Sequence, residues 1–376
     1  MISPIRYGLI GCGGFGRFCL GEYRRMLSVE CVAVADANSF LAEKTALEHH
    51  LACCESAEAL IDRADIDLVH LATPPSTHAP LALAALRAGK HVLCEKPLAL
   101  DTADADEMAE VARSGGRILA VNLIMRYNPL CQAVKRLVDL RLLGEPLYAT
   151  LINIAQDELL GPGHWFWDRS LSGGIFIEHG VHFFDLFEWW FGPGDVVTAY
   201  QVPRPGSGII DQVSCTVRHG GSSFAHFYHG FHQMLRRDQQ HWTLVFELGT
   251  LTMTEWVPTA LTLDATVDDA SAAALGALFP GCSVGTVERY TGKNRLATSR
   301  HLSREVDQRI RLTATAGRPK MELYGEMVRD LLADQIASIG DPQHRRLIDE
   351  RNGISSLRSA VTAQKLADDN RSTVPA

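Results

Sequence analysis

Apolar and polar stretches alternate in a fixed order along the first third of the chain. A short apolar run, Ile5 to Ile10, leads into Gly11-Cys12-Gly13-Gly14-Phe15-Gly16. Phe18 to Leu27 has the spacing of a helix, and Cys31 to Ala35 is a second apolar run ending at Asp36. Asp67 to Ala72 reads as a strand, followed by Thr73-Pro74-Pro75-Ser76-Thr77-His78 and a helix over Ala79 to Ala88, closed by Gly89. His91 to Cys94 is the next strand and runs into Glu95-Lys96-Pro97. Asp101 or Thr102 caps a helix reaching Ser114, Gly115-Gly116 stops it, and Arg117 to Asn122 is a further strand. Strands and helices alternating at this spacing predict a parallel sheet with helices on both faces. Ligands of such sheets bind beyond the carboxyl ends of the strands, where the glycine turn, Thr73 to His78 and Glu95-Lys96-Pro97 all fall.

The pattern changes between Asn122 and Pro129. Asn128 to Leu143 reads as a helix ended by Gly144, and Leu147 to Ile154 as a strand. A polar loop with tryptophans spans Gln156 to Gly174. Ile175 to Phe191 then reads as a helix that is apolar nearly all round, which predicts burial. Glu178, His182 and Asp185 stand at i, i+4 and i+7 in it, within about 60° of one another on a helical wheel. Ionisable groups on a buried helix need partners or a polar cavity. The stripe therefore faces a cleft or forms a self-satisfied network. Gly180, at a cost of about 1 kcal/mol against Ala, implies that something approaches the helix closely there.

Further strands are predicted at Val196 to Val202, Gln212 to Arg218, Ser222 to His229, Thr243 to Leu248, Leu251 to Glu255 and Thr259 to Leu263. Their tight turns, such as His219-Gly220-Gly221, predict an antiparallel sheet. Asp268 to Pro280 is Ala-rich and reads as a short helix or an insertion. Gly285 to Tyr290 and Gln308 to Ala314 extend the sheet, and Met321 to Ile339 and Gly353 to Asp368 are amphipathic helices.

The glycine turn carries the first chemistry. Glycines permit a tight turn and close backbone approach, and the following helix offers free N–H groups to a pyrophosphate. Asp36 lies twenty residues beyond Gly16, where a carboxylate accepts from a ribose 2′-hydroxyl. A carboxylate repels a 2′-phosphate, and Ala37 and Asn38 supply no cation, so NAD is expected rather than NADP.

Composition adds limits. With 376 residues, about 150 per domain gives two domains, set here at 1–124 and 125–376. A net charge of −8 opposes a broad nucleic-acid surface. No uncharged apolar run reaches the roughly 18 residues of a membrane helix, and Met1 to Gly11 has no export signal. The nine cysteines contain no CxxC, so reduced thiols in a cytoplasmic chain are expected. Aromatics are only 7% of the chain but concentrate in Trp165 to Phe191.

Three segments together resemble the Gfo/Idh/MocA oxidoreductases: the glycine turn; Thr73 to His78 with Glu95-Lys96-Pro97; and Gly173-Gly174 followed by Glu178-His179-Gly180-Val181-His182-Phe183-Phe184-Asp185. The resemblance spans the chain, least securely from Leu263 to Pro319. It implies an N-terminal Rossmann domain and a C-terminal α+β domain with a large, mostly antiparallel open sheet. That sheet commonly supports homodimers or homotetramers. It implies that Lys96 reaches the reacting substrate oxygen, and that positions 178 and 182 point into the substrate site. The family helix usually carries Asp where this chain has Glu178. Cofactor contacts are implied for Gly11, Cys12, Gly13, Gly14, Phe15, Gly16, Asp36, Thr73, Pro74, His78, Glu95 and Lys96. Substrate contacts are implied for Arg126, Trp165, Asp168, Glu178, His182 and Asp185.

Expected chemistry is hydride transfer between nicotinamide and a carbinol or carbonyl carbon of a sugar, polyol or related cyclic alcohol. Lys96, His182 and Glu178 form the catalytic set, with the base being either Lys96 or His182. His78 either contacts cofactor or merely opens its helix. Arg126 with Tyr127, and Trp165 with Trp167, serve either substrate contact or packing. His179 and His182 stand three apart without a clear third ligand, so no metal is expected. Two other functions fit the same motifs: a glycosidase with transient redox at tightly bound NAD, and a non-catalytic NAD-binding regulator. Sugar turnover without net NADH marks the first. Tight NAD binding without turnover, alongside a protein partner, marks the second.

Overall fold

The computed structural model describes residues 3–157, 160–220, 223–299 and 303–371. Residues 158–159, within the loop expected from Gln156 to Gly174, lie outside these. So do Gly221 and Ser222, where a turn and a strand start were expected, and residues 300–302. The chain divides into two units. The first contains Met1–Ile124, Leu160–Asp185 and Tyr324–Lys365; the second contains Met125–Leu159, Leu186–Leu323 and Leu366–Ala376.

The first unit contains the alternating region, whose sheet is all parallel. The strands are β1 (Ile5–Ile10), β2 (Val29–Ala35), β3 (Ala52–Cys53), β4 (Leu68–Leu71), β5 (His91–Cys94) and β6 (Leu119–Val121), in the spatial order β3-β2-β1-β4-β5-β6. The intervening helices are α1 (Gly14–Tyr23), α2 (Ser39–His49), α3 (Ala57–Ile61), α4 (His78–Arg87) and α5 (Thr102–Ser114). This strand order reverses between β1 and β4, which opens a crevice at the carboxyl ends of the strands. Asp101 caps α5, its side chain accepting from Asp104 N. The segment α2 to α3 has no legible periodicity. The buried residues of α2 are Ala42, Thr45 and Ala46, while Phe40 and Leu47 are exposed.

Beyond Met125 the elements are α6 (Pro129–Asp139), β7 (Pro146–Gln156), α7 (Arg169–Ser172) and α8 (Val181–Phe191), then β8 (Gly194–Pro203), β9 (Ile210–His219), β10 (Ser223–Gln233), β11 (Gln239–Phe246), β12 (Gly249–Thr254) and β13 (Ala260–Val267). Next come α9 (Asp269–Leu278), β14 (Ser283–Arg289), the small hairpin β15 (Leu296–Thr298) and β16 (Ser303–Glu305), β17 (Gln308–Thr315), α10 (Lys320–Gly340) and α11 (Glu350–Arg371). Nine strands form one sheet, in the order β14-β17-β13-β12-β11-β7-β10-β9-β8. It is antiparallel except where β7 and β10 run parallel. Alternation fixes its faces: Ala149 and Leu151 on β7, Phe227 on β10 and Trp242 and Leu244 on β11 are buried, whereas Tyr148, Ile152 and Phe224 are exposed. Phe187 of α8 lies 4.8 Å from Phe227 and 6.1 Å from Trp242, ring to ring, within the second unit's core.

The expected single helix from Ile175 to Phe191 is two pieces. A π-helical turn, Phe176–Gly180, precedes α8. Such turns insert a residue into a helix and recur at functional sites. The wheel angles predicted for an unbroken α-helix therefore do not apply across Glu178 and His182. The close neighbour of Gly180 is its own helix: a Cβ there would sit 3.1 Å from the Phe184 ring.

Candidate functional site

The glycine turn is shaped from within. Gly11 holds φ +102°, and a Cβ on it would lie 2.3 Å from the Ala72 carbonyl oxygen. A Cβ on Gly16 would lie 2.1 Å from the Gly11 carbonyl oxygen. Gly13 and Gly14 differ: they are exposed, and a Cβ on either meets nothing within 4 Å. Gly13 caps α1 without a side-chain hydrogen bond, so the first-turn N–H groups are left for a ligand. The open space and the uncapped turn fit a pyrophosphate. Asp36 accepts from Cys12 N at 2.6 Å and from Asn38 N at 2.7 Å, so its carboxylate is fixed at the end of β2. The Cys12 thiol is buried and pushed up to about 11 by burial, and the Phe15 ring rests 5.9 Å from that of Tyr324.

Thr73 and Pro74 are half-buried past β4. His78 is wholly buried, with Nδ1 2.7 Å from the Pro97 carbonyl oxygen and Nε2 2.9 Å from that of Thr73. As a neutral ring it donates to one of these carbonyl oxygens and lies against the other, bridging the Thr73 and Glu95-Lys96-Pro97 segments. Burial holds its pKa below the usual histidine value.

Lys96 Nζ donates to Glu178 Oε1 at 2.5 Å and to the Glu178 carbonyl oxygen at 2.9 Å. The π-turn presents that carbonyl. His182, two residues beyond the turn, is 4% exposed. Its pKa is driven well below the usual value, first by burial and then by the Lys96 charge. The ring is therefore a neutral acceptor or donor beside an ammonium group. Asp185, one turn on, is also buried.

Other expected contacts have local tasks. Asp168 is exposed and caps α7, its Oδ1 accepting from Ser170 N at 2.8 Å and Ser170 Oγ at 2.7 Å. Trp165 is half-buried against His164, 5.2 Å between rings. Arg126, in the second unit, is buried with its guanidinium 5.4 Å over the Trp189 ring.

One group escapes the sequence reading. Tyr7, His70, Glu95 and Asn122 form a buried chain: Tyr7 Oη to His70 Nδ1 is 2.7 Å, His70 Nε2 to Glu95 Oε1 is 3.0 Å, and Asn122 Nδ2 to Glu95 Oε1 is 2.7 Å. The signal was available as a lone His in the apolar run Leu68–Leu71 and an Asn just after Leu119–Val121. Cys19, His70 and Glu95 are also the described residues whose potential metal-ligand atoms come together, within 4.8 Å.

Two family models match the chain: an oxidoreductase family with an NAD-binding Rossmann fold over residues 5–123, and the GFO/IDH/MocA C-terminal domain over residues 131–252. A 1,5-anhydro-D-fructose reductase of Ensifer adhaerens is 30% identical over 234 residues, covering 60% of this chain and 69% of that protein. The chain belongs to the Gfo/Idh/MocA oxidoreductase family. Another relative in it, the dTDP-3,4-didehydro-2,6-dideoxy-alpha-D-glucose 3-reductase of Streptomyces violaceoruber, is 36% identical over 186 residues. That match covers 48% of this chain and 53% of the reductase, so the chain spans about half the length of this curated relative. The WlbA dehydrogenase from Bordetella pertussis, solved with NADH and UDP-GlcNAcA, shares the fold with a TM-score of 0.76 at 19% identity, over 98% of this chain and 97% of that one. As expected for the family, a six-stranded parallel Rossmann sheet is joined to a large, mostly antiparallel sheet. Among the described residues, no helix is long and apolar enough to cross a membrane.

Proposed function

We propose that this Gfo/Idh/MocA protein is an NAD-dependent oxidoreductase that interconverts a hydroxyl and a carbonyl on a sugar, polyol or related cyclic alcohol. The observation that carries the reading is the Lys96–Glu178 pair beside a buried, neutral His182. NAD supplies a hydride acceptor or donor when bound. Gly13 and Gly14 leave room for its pyrophosphate, and Asp36 accepts from its adenine-side ribose. The fixed carboxylate of Asp36 disfavours NADP.

Lys96 donates a hydrogen bond to the reacting oxygen and stabilises negative charge there. Glu178 holds the ammonium by both side chain and main chain. The neutral His182 ring takes the hydroxyl proton in oxidation and returns it in reduction, a role worth roughly 10²–10⁴-fold. Buried Asp185, one turn beyond His182, is assigned to the substrate site with it. Residues 1–124 serve as the cofactor domain, and 125–376 as the substrate and oligomerisation domain. The exposed Tyr148, Ile152 and Phe224 on the large sheet suit a homodimer or homotetramer. All nine cysteines are free thiols, in keeping with action in the cytoplasm.

The test is a screen of NAD reduction over polyols and sugars, repeated with Lys96→Ala and His182→Ala. Both variants should lose at least 100-fold in turnover on the best substrate. Near-wild-type turnover in both overturns the assignment of roles, and equal or better efficiency with NADP overturns the reading of Asp36.

A further inference from the structure

Four polar side chains are buried where adjacent strands β1, β4, β5 and β6 could have been filled with apolar ones. Burying polar groups costs stability unless each finds a partner, and apolar replacements of similar shape serve the fold as well or better. Tyr7, His70 and Asn122 are 0–1% exposed, and Glu95 is 8% exposed. The bonding is directional. A neutral imidazole has one N–H and one lone pair. When the Tyr7 hydroxyl donates to His70 Nδ1, the proton is left on Nε2, which donates to Glu95 Oε1. Asn122 Nδ2 donates to the same oxygen. The main chain fixes the frame, with Glu95 N donating to Leu71 O and Asn122 N to Cys94 O, both at 2.9 Å. Among the described residues both side-chain donors fall on Oε1, so Oε2 keeps its acceptor capacity. Asn122 brings no charge to this carboxylate, and the charge of the neighbouring Lys96 is already matched by Glu178.

Topology says which end of the cofactor such a charge would meet. Asp36 follows β2, on one side of the glycine turn that follows β1. Glu95 follows β5, two strands away on the other side. A dinucleotide with its adenine ribose at Asp36 and its pyrophosphate at the turn therefore has its nicotinamide half toward β4 and β5. The oxidised nicotinamide ring is a cation and the reduced ring is neutral, so a fixed carboxylate discriminates between them.

We infer that Glu95, positioned by Asn122 and by His70 with Tyr7 behind it, is a fixed counter-charge to the nicotinamide and biases this protein toward binding oxidised rather than reduced cofactor. The inference rests on the dinucleotide reading above. His70, Tyr7 and Asn122 are positioning residues: they set where the charge stands and touch no reacting atom.

The test is isothermal titration of the full chain with NAD⁺ and with NADH. Wild type is compared with Glu95→Gln, His70→Leu and Tyr7→Phe, and folding is checked by circular dichroism. Across an effective dielectric of about 20, losing one nearby unit charge should raise the ratio Kd(NAD⁺)/Kd(NADH) about tenfold in Glu95→Gln. Tyr7→Phe deletes one hydroxyl and frees the tautomer, and should shift the ratio the same way by about two- to threefold. His70→Leu should fall between. A ratio within twofold of wild type in folded Glu95→Gln overturns the inference while leaving nucleotide binding intact. If Glu95→Gln does not fold, unchanged ratios in both other variants overturn it. A wild-type chain that binds neither nucleotide overturns this inference together with the cofactor reading.

Discussion

The Lys96–Glu178 pair offers a test that needs no substrate. Lys96 makes two bonds to one residue, a charged one to the carboxylate and a second to the main-chain carbonyl. Their side chains are 18% and 11% exposed, so the pair is largely but not wholly desolvated. Removing one partner of a fully buried pair costs about 3–5 kcal/mol. With residual exposure, Lys96→Met should cost about 3 kcal/mol, because it strands both the carboxylate and the π-turn carbonyl. Glu178→Gln keeps the carbonyl acceptor and a side-chain oxygen, and should cost about 1–1.5 kcal/mol. The double variant no longer buries an unmatched charge and should cost about 2.5 kcal/mol. A coupling of about 1.5–2 kcal/mol follows, well above the roughly 0.5 kcal/mol scatter of independent sites. Urea unfolding of the four proteins measures it, and Lys96→Met alone should lower Tm by about 5–10 °C. Single-variant costs that simply add would mean that the two side chains do not act as a pair.

Three further outcomes are expected. Gly13→Ala should leave Tm nearly unchanged yet weaken NAD⁺ binding at least tenfold, whereas Gly11→Ala should lose more than about 2 kcal/mol because its φ and the Ala72 carbonyl both forbid a Cβ; titration and thermal unfolding separate the two, and tight NAD⁺ binding by Gly13→Ala would remove the pyrophosphate from that space. His229 is buried on β10 with its pKa lowered to about 3, so the unfolded chain takes up its proton first. The stability it contributes is complete above about pH 6.5 and is lost as pH falls, by roughly 2–3 kcal/mol at pH 4.5. Unfolding free energy against pH should flatten in His229→Leu, and an unchanged slope would contradict a neutral buried ring. His78→Ala should cost about 2–4 kcal/mol and also raise Kd for NAD⁺, because the Thr73 and Pro97 segments lose their common tie; unchanged values of both would show the tie to be idle.

Elements with strong periodicity were legible in the chain. The strands ending at Asp36 and Glu95 and the long helices α10 and α11 stand close to where apolar spacing predicts them. The segment from Ser39 to Ile61 was not legible, because α2 buries small residues and exposes Phe40 and Leu47. The π-turn was beyond reach of any wheel. The pairing of Lys96 with Glu178 joins residues far apart in sequence, and only a folded chain reveals it. His70 was hidden for the opposite reason: periodicity says that the position is buried and says nothing about why a polar group occupies it.

Asp36 carries a consequence for how this family member could change its cofactor. Each of its two carboxylate oxygens accepts from one amide, of Cys12 and of Asn38, so the residue proposed to discriminate between nucleotides also braces the glycine turn. Exchanging it for a neutral or basic side chain would remove a repulsion and, in the same step, release an amide of the glycine loop and loosen the entry to α2. A lineage moving toward the phosphorylated dinucleotide would therefore pass through an intermediate poor at holding either one. It would first need a neighbouring acceptor, placed before the acid is given up. Preference written into scaffolding in this way resists drift by single substitutions.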